Sequence, residues 1–146
     1  MFVKQISVFL ENNPGTLREL TELLGKGGID LLALSIADTQ SFGIVRVIVH
    51  SDQLDPATLL LKEAGYIFRV NNVICASVPD KPLGLCSLLS VIEQAGLSVE
   101  YMYSLTRSVA DDNAYMILRL NDGQRAAKVF AMKNVVMHSQ EEIDKL

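Results

Sequence analysis

The chain has 146 residues, with 13 lysines and arginines against 17 aspartates and glutamates (net charge −4), and its side chains are 49% hydrophobic and 21% charged. That length allows one large or two small domains. With a mean hydropathy of +0.27, the balance excludes a disordered tail and leaves too little polar surface to coat a monomer, so some apolar surface is expected to be hidden in a subunit or domain contact.

A pI near 5.1 and the absence of adjacent basic residues exclude nucleic acid as a partner, because that affinity rests on clustered Lys and Arg. The longest apolar run, Ala114 to Leu118, is far below the roughly 20 residues of a membrane helix. Lys4, Gln5 and Ser7 interrupt the start, where a signal peptide is apolar. A protein without a membrane partner, placed in the cytoplasm, is expected. Cys75 and Cys86 form neither a CxxC motif nor a disulfide framework and read as two reduced core thiols.

Taken in order, Val3 to Leu10 alternates, with Ile6, Val8 and Leu10 on one face, the period of a half-buried strand. Asn13 then offers an N-cap oxygen and Pro14 stands where a missing N–H does no harm; Leu17, Leu20, Leu23 and Leu24 recur at helical spacing until Gly27 and Gly28 stop the helix. Ile29 to Ala37 and Phe42 to His50, joined by the polar Asp38, Thr39, Gln40 and Ser41, predict an antiparallel strand pair. Asp55 and Pro56 repeat the cap-and-proline signal, Leu59, Leu60, Leu61 and Ala64 continue helically, and Gly65 closes the helix before the apolar Tyr66 to Val70. This half reads βαββαβ.

A shift of 68 residues lays Pro14 on Pro82, Leu17 on Leu85, Leu20 on Leu88 and Gly28 on Gly96, and the apolar Leu23, Leu24, Ile29, Leu31 and Leu34 on Val91, Ile92, Leu97, Val99 and Met102. The second half accordingly predicts a strand over Val73 to Val78, a helix over Pro82 to Gln94, a strand pair over Leu97 to Thr106 and Ala114 to Leu120, a shorter helix near Gln124 to Met132, and a brief strand from Asn134 to Met137. Residues 1–70 and 71–146 therefore form two domains, separated only by Asn71 and Asn72 and rigidly apposed. The fold class is α+β: two ferredoxin-like βαββαβ domains in tandem, each an antiparallel sheet with its helices on one face.

Several functions of such a sheet are excluded by its residues. The third strand, Gly43 to Val49, has no aromatic ring on which a base could stack. The first loop, Glu11 to Thr16, has neither Cys nor His, so no metal is expected. His50 and His138 stand at strand ends in different copies, with nothing nearby in sequence to orient either ring, and read as solvated strand termini. The pairs Glu141-Glu142 and Asp111-Asp112 read as a solvated tail and a solvated hairpin loop. Neither an enzyme nor a cofactor protein is expected.

What remains is the loop from Glu11 to Leu17, which leads from a strand into a helix N-terminus. There, free backbone N–H groups and the helix dipole favour a carboxylate, and the Asn12 side-chain carbonyl can accept from an ammonium. Those two partners describe an amino acid. On the residues alone the plainer reading is that they cap and turn the chain, since these are ordinary turn residues.

Asn12-Asn13-Pro14-Gly15-Thr16-Leu17, followed by Leu20, Leu24 and Gly28-Ile29-Asp30-Leu31, resembles the signature of ACT domains, the regulatory modules that sense small molecules in amino-acid metabolism. Asp80-Lys81-Pro82-Leu83-Gly84-Leu85 with Gly96-Leu97-Ser98-Val99 is similar, and the likeness covers nearly the whole chain. The resemblance implies ACT domains paired side by side or back to back, binding an amino acid at a domain interface between this loop and a facing strand. Asn12 and Asp80 would hold the ammonium, and the backbone from Pro14 to Leu17 or from Pro82 to Leu85 the carboxylate. The second copy departs from the pattern in having Leu83 where the first has Gly15, with glycine one residue later at Gly84.

Tyr101 and Tyr103 replace Ala33 and Ser35 of the first copy, and with Tyr115 on the neighbouring strand they either pack at a domain interface or line an amino-acid pocket. The expectation is a non-enzymatic, amino-acid-binding regulatory protein that forms a homodimer or higher oligomer and acts by stabilising one domain arrangement. The alternative is a regulatory subunit that docks on an amino-acid biosynthetic enzyme.

Overall fold

The computed structural model describes residues 1–38, 41–107 and 111–146. The elements are β1 (Val3–Glu11), α1 (Thr16–Lys26), β2 (Leu31–Asp38), β3 (Phe42–Val49), a single 3₁₀ turn (Ser51–Gln53), α2 (Leu54–Glu63), β4 (Ile67–Pro79), α3 (Gly84–Gln94), β5 (Val99–Ser104), β6 (Asn113–Leu120), α4 (Gly123–Met132), β7 (Val136–His138) and α5 (Gln140–Asp144). Two compact units emerge, Lys4–Asn71 and Asn72–Leu146, the second also taking Met1–Val3.

In the first unit the strand order is β2-β3-β1-β4, with β1 and β2 both antiparallel to β3. Alternation along β1 sends Ile6, Val8 and Leu10 inward, where they meet Val45 and Val47 of β3 and Leu20 and Leu24 of α1. Leu20 and Leu24 are fully buried at helical spacing, so either leucine cut to alanine removes about 2–5 kcal/mol of stability. The Ser7 hydroxyl donates to Asn71 Oδ1 at 2.9 Å, joining β1 to β4. Of the expected turn Asp38 to Ser41, Thr39 and Gln40 lie outside the described residues.

The second unit repeats the plan with β4 paired to β6 and β7, and β6 to β5, all antiparallel. Its core joins Ile74, Ala76 and Val78 of β4 to Leu88 and Ile92 of α3, Leu118 and Leu120 of β6, and Ala126 and Phe130 of α4. The two βαββαβ repeats form an α+β fold with antiparallel sheets, as the hydrophobic periods predict.

Several expectations need correction. Asn71 and Asn72 do not interrupt the chain but continue the strand, so that Tyr66 to Val70 and Val73 to Val78 merge, apart from Tyr66, into β4. The helix expected to be short, α4, has ten residues, as does α2. Asn13 and Pro14 precede α1 rather than begin it. The N-cap is Gly15 at φ +89°, and the Asn13 side chain instead donates to Glu11 Oε2 at 3.1 Å. Pro82 likewise precedes α3, whose N-cap is Leu83 at φ +71°. The second helix of the first unit starts at Leu54 after a 3₁₀ turn, so Asp55 lies inside it. Only Cys75 is a buried thiol, pushed up to about 12 by burial and then by the Glu142 charge, whereas Cys86 is exposed on α3.

Glu141 and Glu142 belong to a helix and not to a tail. Ser139 Oγ accepts from the Glu142 amide at 3.2 Å and Glu142 Oε2 from the Ser139 amide at 2.7 Å, a reciprocal cap that starts α5 and buries Ile143 completely.

Three stability changes follow. Leu83 holds a left-handed conformation that costs a side-chain-bearing residue about 1–2 kcal/mol, and it is 75% exposed, so it has little packing to lose. Leu83→Gly is therefore expected to raise Tm by roughly 2–4 °C for each 1 kcal/mol relieved, as measured by calorimetry. Ser139→Ala should cost about 1 kcal/mol through loss of the cap. The bond from the Ser139 amide, and then the nearby His138, hold the Glu142 carboxyl below its ordinary range against the opposing effect of burial. Its contribution is thus complete above that ordinary range and fades as pH falls through the lowered value. The Tm difference between the parent chain and Glu142→Gln should shrink in acid.

Candidate functional site

The two loops singled out by the repeat adopt the same backbone. In the first, the Asn13 amide donates to the Glu11 carbonyl (2.9 Å), Thr16 to Asn13 (3.3 Å) and Glu19 to Gly15 (2.9 Å). In the second, at the 68-residue offset, Lys81 donates to Pro79 (2.9 Å), Gly84 to Lys81 (3.0 Å) and Ser87 to Leu83 (3.0 Å). The left-handed residues Gly15 and Leu83 occupy the same step.

This geometry exposes the first-turn amides. Among the described residues no side chain caps α1 or α3, while α4 and α5 are capped by Asp122 and Ser139. The amides of Leu17 and Arg18, and of Leu85 and Cys86, are left for solvent or an anion. Asn12 and Asp80 lie four residues before each helix, both exposed.

The second loop stands between two hollows. One, about 250 Å³, brings Asp80 together with Arg107, Asp111 and Tyr115. The other, about 520 Å³, lies on the α3 side and is bounded by Pro79, Gly84, Ser87, Val135, His138 and again Tyr115. Tyr101 and Tyr103 sit on β5 opposite Arg119 and Ile117, and it is Tyr115 that lines both hollows beside the loop. Lys81, Pro82 and Leu85 are exposed around the turn.

Tyr115 is the centre of a polar cluster that the sequence does not announce. Its hydroxyl donates to Asp111 Oδ2 at 2.7 Å, which holds the carboxyl low and, with burial, pushes the phenol up to about 12. Its ring stacks on His138 with centroids 4.5 Å apart and planes at 28°. His138 is no solvated terminus: Nε2 lies 2.8 Å from Ser77 Oγ, and Nδ1 is 3.8 Å from Glu142 Oε2. Hydroxyl, imidazole and carboxylate are the groups of an acyl-transfer triad. Here, however, Glu142 is turned to the Ser139 amide, and Ser77 is held mid-strand between Tyr115 and Val136. The cluster ties β7 and α5 to β4. His50 is half-buried, with Nε2 3.9 Å from Asp30 Oδ2.

The i, i+4 spacing of Asp111 and Tyr115 was visible, but in a hairpin it carries no helical meaning. The pairing of His138 with Ser77 depends on a register set by β7, which spans only three residues. Among the described residues no three His, Cys, Asp or Glu side chains gather to hold a metal, and no helix is long and apolar enough to cross a membrane.

Comparison with known proteins agrees with the duplicated plan. Residues 1–146 match the model of a family described as an ACT domain pair. Protein BT0572 from Bacteroides thetaiotaomicron is 34% identical, with a TM-score of 0.88 over 100% of this chain and 98% of its own. The regulatory subunits of aspartate kinase from Thermus thermophilus and Thermus flavus share the fold at 15% and 12% identity, with TM-scores of 0.63 and 0.60 over 88% of this chain and 90% of theirs. No curated protein matches the chain. The duplicated loops, the antiparallel sheets and the match over the full length agree: the chain belongs to the ACT domain pair family.

Proposed function

We propose that this ACT pair is a non-enzymatic regulatory protein that binds an amino acid at its strand-to-helix loops. The observation that carries this reading is the shared loop geometry: a left-handed residue before each of α1 and α3, uncapped first-turn amides, and Asn12 or Asp80 four residues upstream. The amides suit a carboxylate, and Asn12 or Asp80 an ammonium. In this reading Asn13, Pro14, Gly15, Thr16 and Leu17, and Lys81, Pro82, Leu83, Gly84 and Leu85, shape the backbone around the ligand, while Tyr101 and Tyr103 flank it from β5. Ligand binding acts by stabilising one domain arrangement.

A second reading, docking on an amino-acid biosynthetic enzyme, draws support from the Thermus proteins, which are regulatory subunits of aspartate kinase. Self-association is proposed as well. Ile36 on the edge strand β2 and Phe42 at the start of β3 are 52% and 55% exposed, the kind of apolar edge that a second copy covers.

Calorimetric titration across the twenty amino acids tests the ligand. Asp80→Ala should weaken binding about 10- to 150-fold, the loss of a charge-assisted bond worth roughly 1.5–3 kcal/mol. Asn12→Ala, which removes a neutral bond, should cost about 0.5–1.5 kcal/mol at its own site. Tm should hardly move in either variant, since neither residue caps a helix. Unchanged affinity in both would show that the amino acid binds elsewhere. Light scattering at micromolar concentration should give at least a dimer mass, and a monomer mass would refute the self-association.

A further inference from the structure

The duplication provides an internal control, because the copies share backbone bonds and differ in what fills the space around them. α2 ends with Gly65 at φ +82° and the Tyr66 amide bonded to the Leu61 carbonyl; α4 ends with Asn134 at φ +58° and the Val135 amide bonded to Phe130. Tyr66 and Val135 therefore occupy equivalent places. Glu19, in the first turn of α1, corresponds in the same way to Ser87 of α3. In the first unit Tyr66 packs partly buried against the core. Desolvation, then the charge of Glu19 in the first turn of α1, raises the pKa of its phenol. In the second unit the corresponding gap, between Val135 and Ser87, is the open cleft of about 520 Å³.

We propose that this cleft is a binding site for an aryl ring, the side chain of an aromatic amino acid, seated where Tyr66 lies in the first unit. Its volume falls within the range of small-molecule pockets. Val78, Leu88 and Val91 give it apolar walls, and the stacked Tyr115 and His138 line it with rings, against which another ring packs favourably. The cleft reaches Pro79 and Gly84, so the ligand's charged end lies toward the loop assigned above. The inference rests on the amino-acid-binding reading and narrows it to one class.

Methyl-labelled valine NMR of the intact chain, titrated with L-phenylalanine and L-tyrosine, tests it. Ring-current shifts are expected at Val91, Val135 and Val136, with none at Val45 and Val47 of the first core. Val135→Tyr rebuilds the arrangement of the first unit and should weaken binding of either ligand roughly tenfold or more, with Tm held or raised. The parent chain's methyl shifts decide the matter even if that variant does not fold. Still valine methyls on saturation, or unchanged affinity in folded Val135→Tyr, would overturn the proposal. If an aliphatic or charged amino acid binds in an Asp80-dependent manner while both aromatic ligands leave the valines unmoved, this inference alone falls. If none of the twenty binds, the broader reading falls with it.

Discussion

In the second unit the backbone of Gly84 lies against the carbonyl of Pro79 so closely that a β-carbon there would overlap it. That contact lets α3 begin directly beside the end of β4 and sets the turn that puts Leu83 in the left-handed region. The first unit meets the same constraint differently. Thr16, the equivalent of Gly84, donates its hydroxyl at 3.0 Å to the carbonyl of Glu11, the equivalent of Pro79. One copy closes the junction with a hydrogen bond and the other by omitting the side chain, and in both the first-turn amides stay uncapped.

The copies then diverge consistently. Gly15 adopts its left-handed step without strain, while Leu83 holds the same step against the cost of a β-carbon. Asn12 is neutral and Asp80 charged. Tyr66 packs partly buried against the first core, and Val135 borders an open cleft. Strain, charge and empty volume gather on the second copy, and observed backbone strain is a reason to look for function at the residue that bears it. Duplication thus lets the two units share a backbone plan while differing in the side chains around the same loop.

The architecture was legible because it is written in periods. Ile6, Val8 and Leu10 alternate and Leu20 and Leu24 recur helically, and all five point into one core. The loops were legible as motifs, but their caps were not. Asn13 has an N-cap side chain, yet the positive φ two residues later moves the helix start to Thr16 and gives the Asn13 amide to Glu11. Likewise Asn71 and Asn72 have turn composition but continue β4, because strand pairing overrides local preference. His138 was misread as solvated for a different reason. Its partners, Ser77 and Tyr115, are distant in sequence and meet it only through the pairing of β7 with β4 and of β4 with β6. Nor does periodicity mark a cleft, since Val135 suits a core as well as Tyr66 does.

The polar cluster gives the cleft a connection to the rest of its unit. Tyr115 and His138 line the cleft, and their other partners are Asp111 at the β5–β6 hairpin, Ser77 on the central strand and Glu142 on α5. A group bound against the two rings therefore touches the hairpin, the sheet and the C-terminal helix through one stacked pair. A ligand shifts a conformational equilibrium only by its differential affinity for the two states. Hydrogen bonds at a half-solvated cluster are individually weak, since water competes for each partner. A ligand present at 100 times its Kd contributes about 2.7 kcal/mol, enough to reorder such bonds but not to disturb a core built on Phe130 and Leu118, both essentially buried. The ring pair thus couples the cleft to the hairpin through Asp111 and to α5 through Glu142, while the fully buried Ile143 anchors α5.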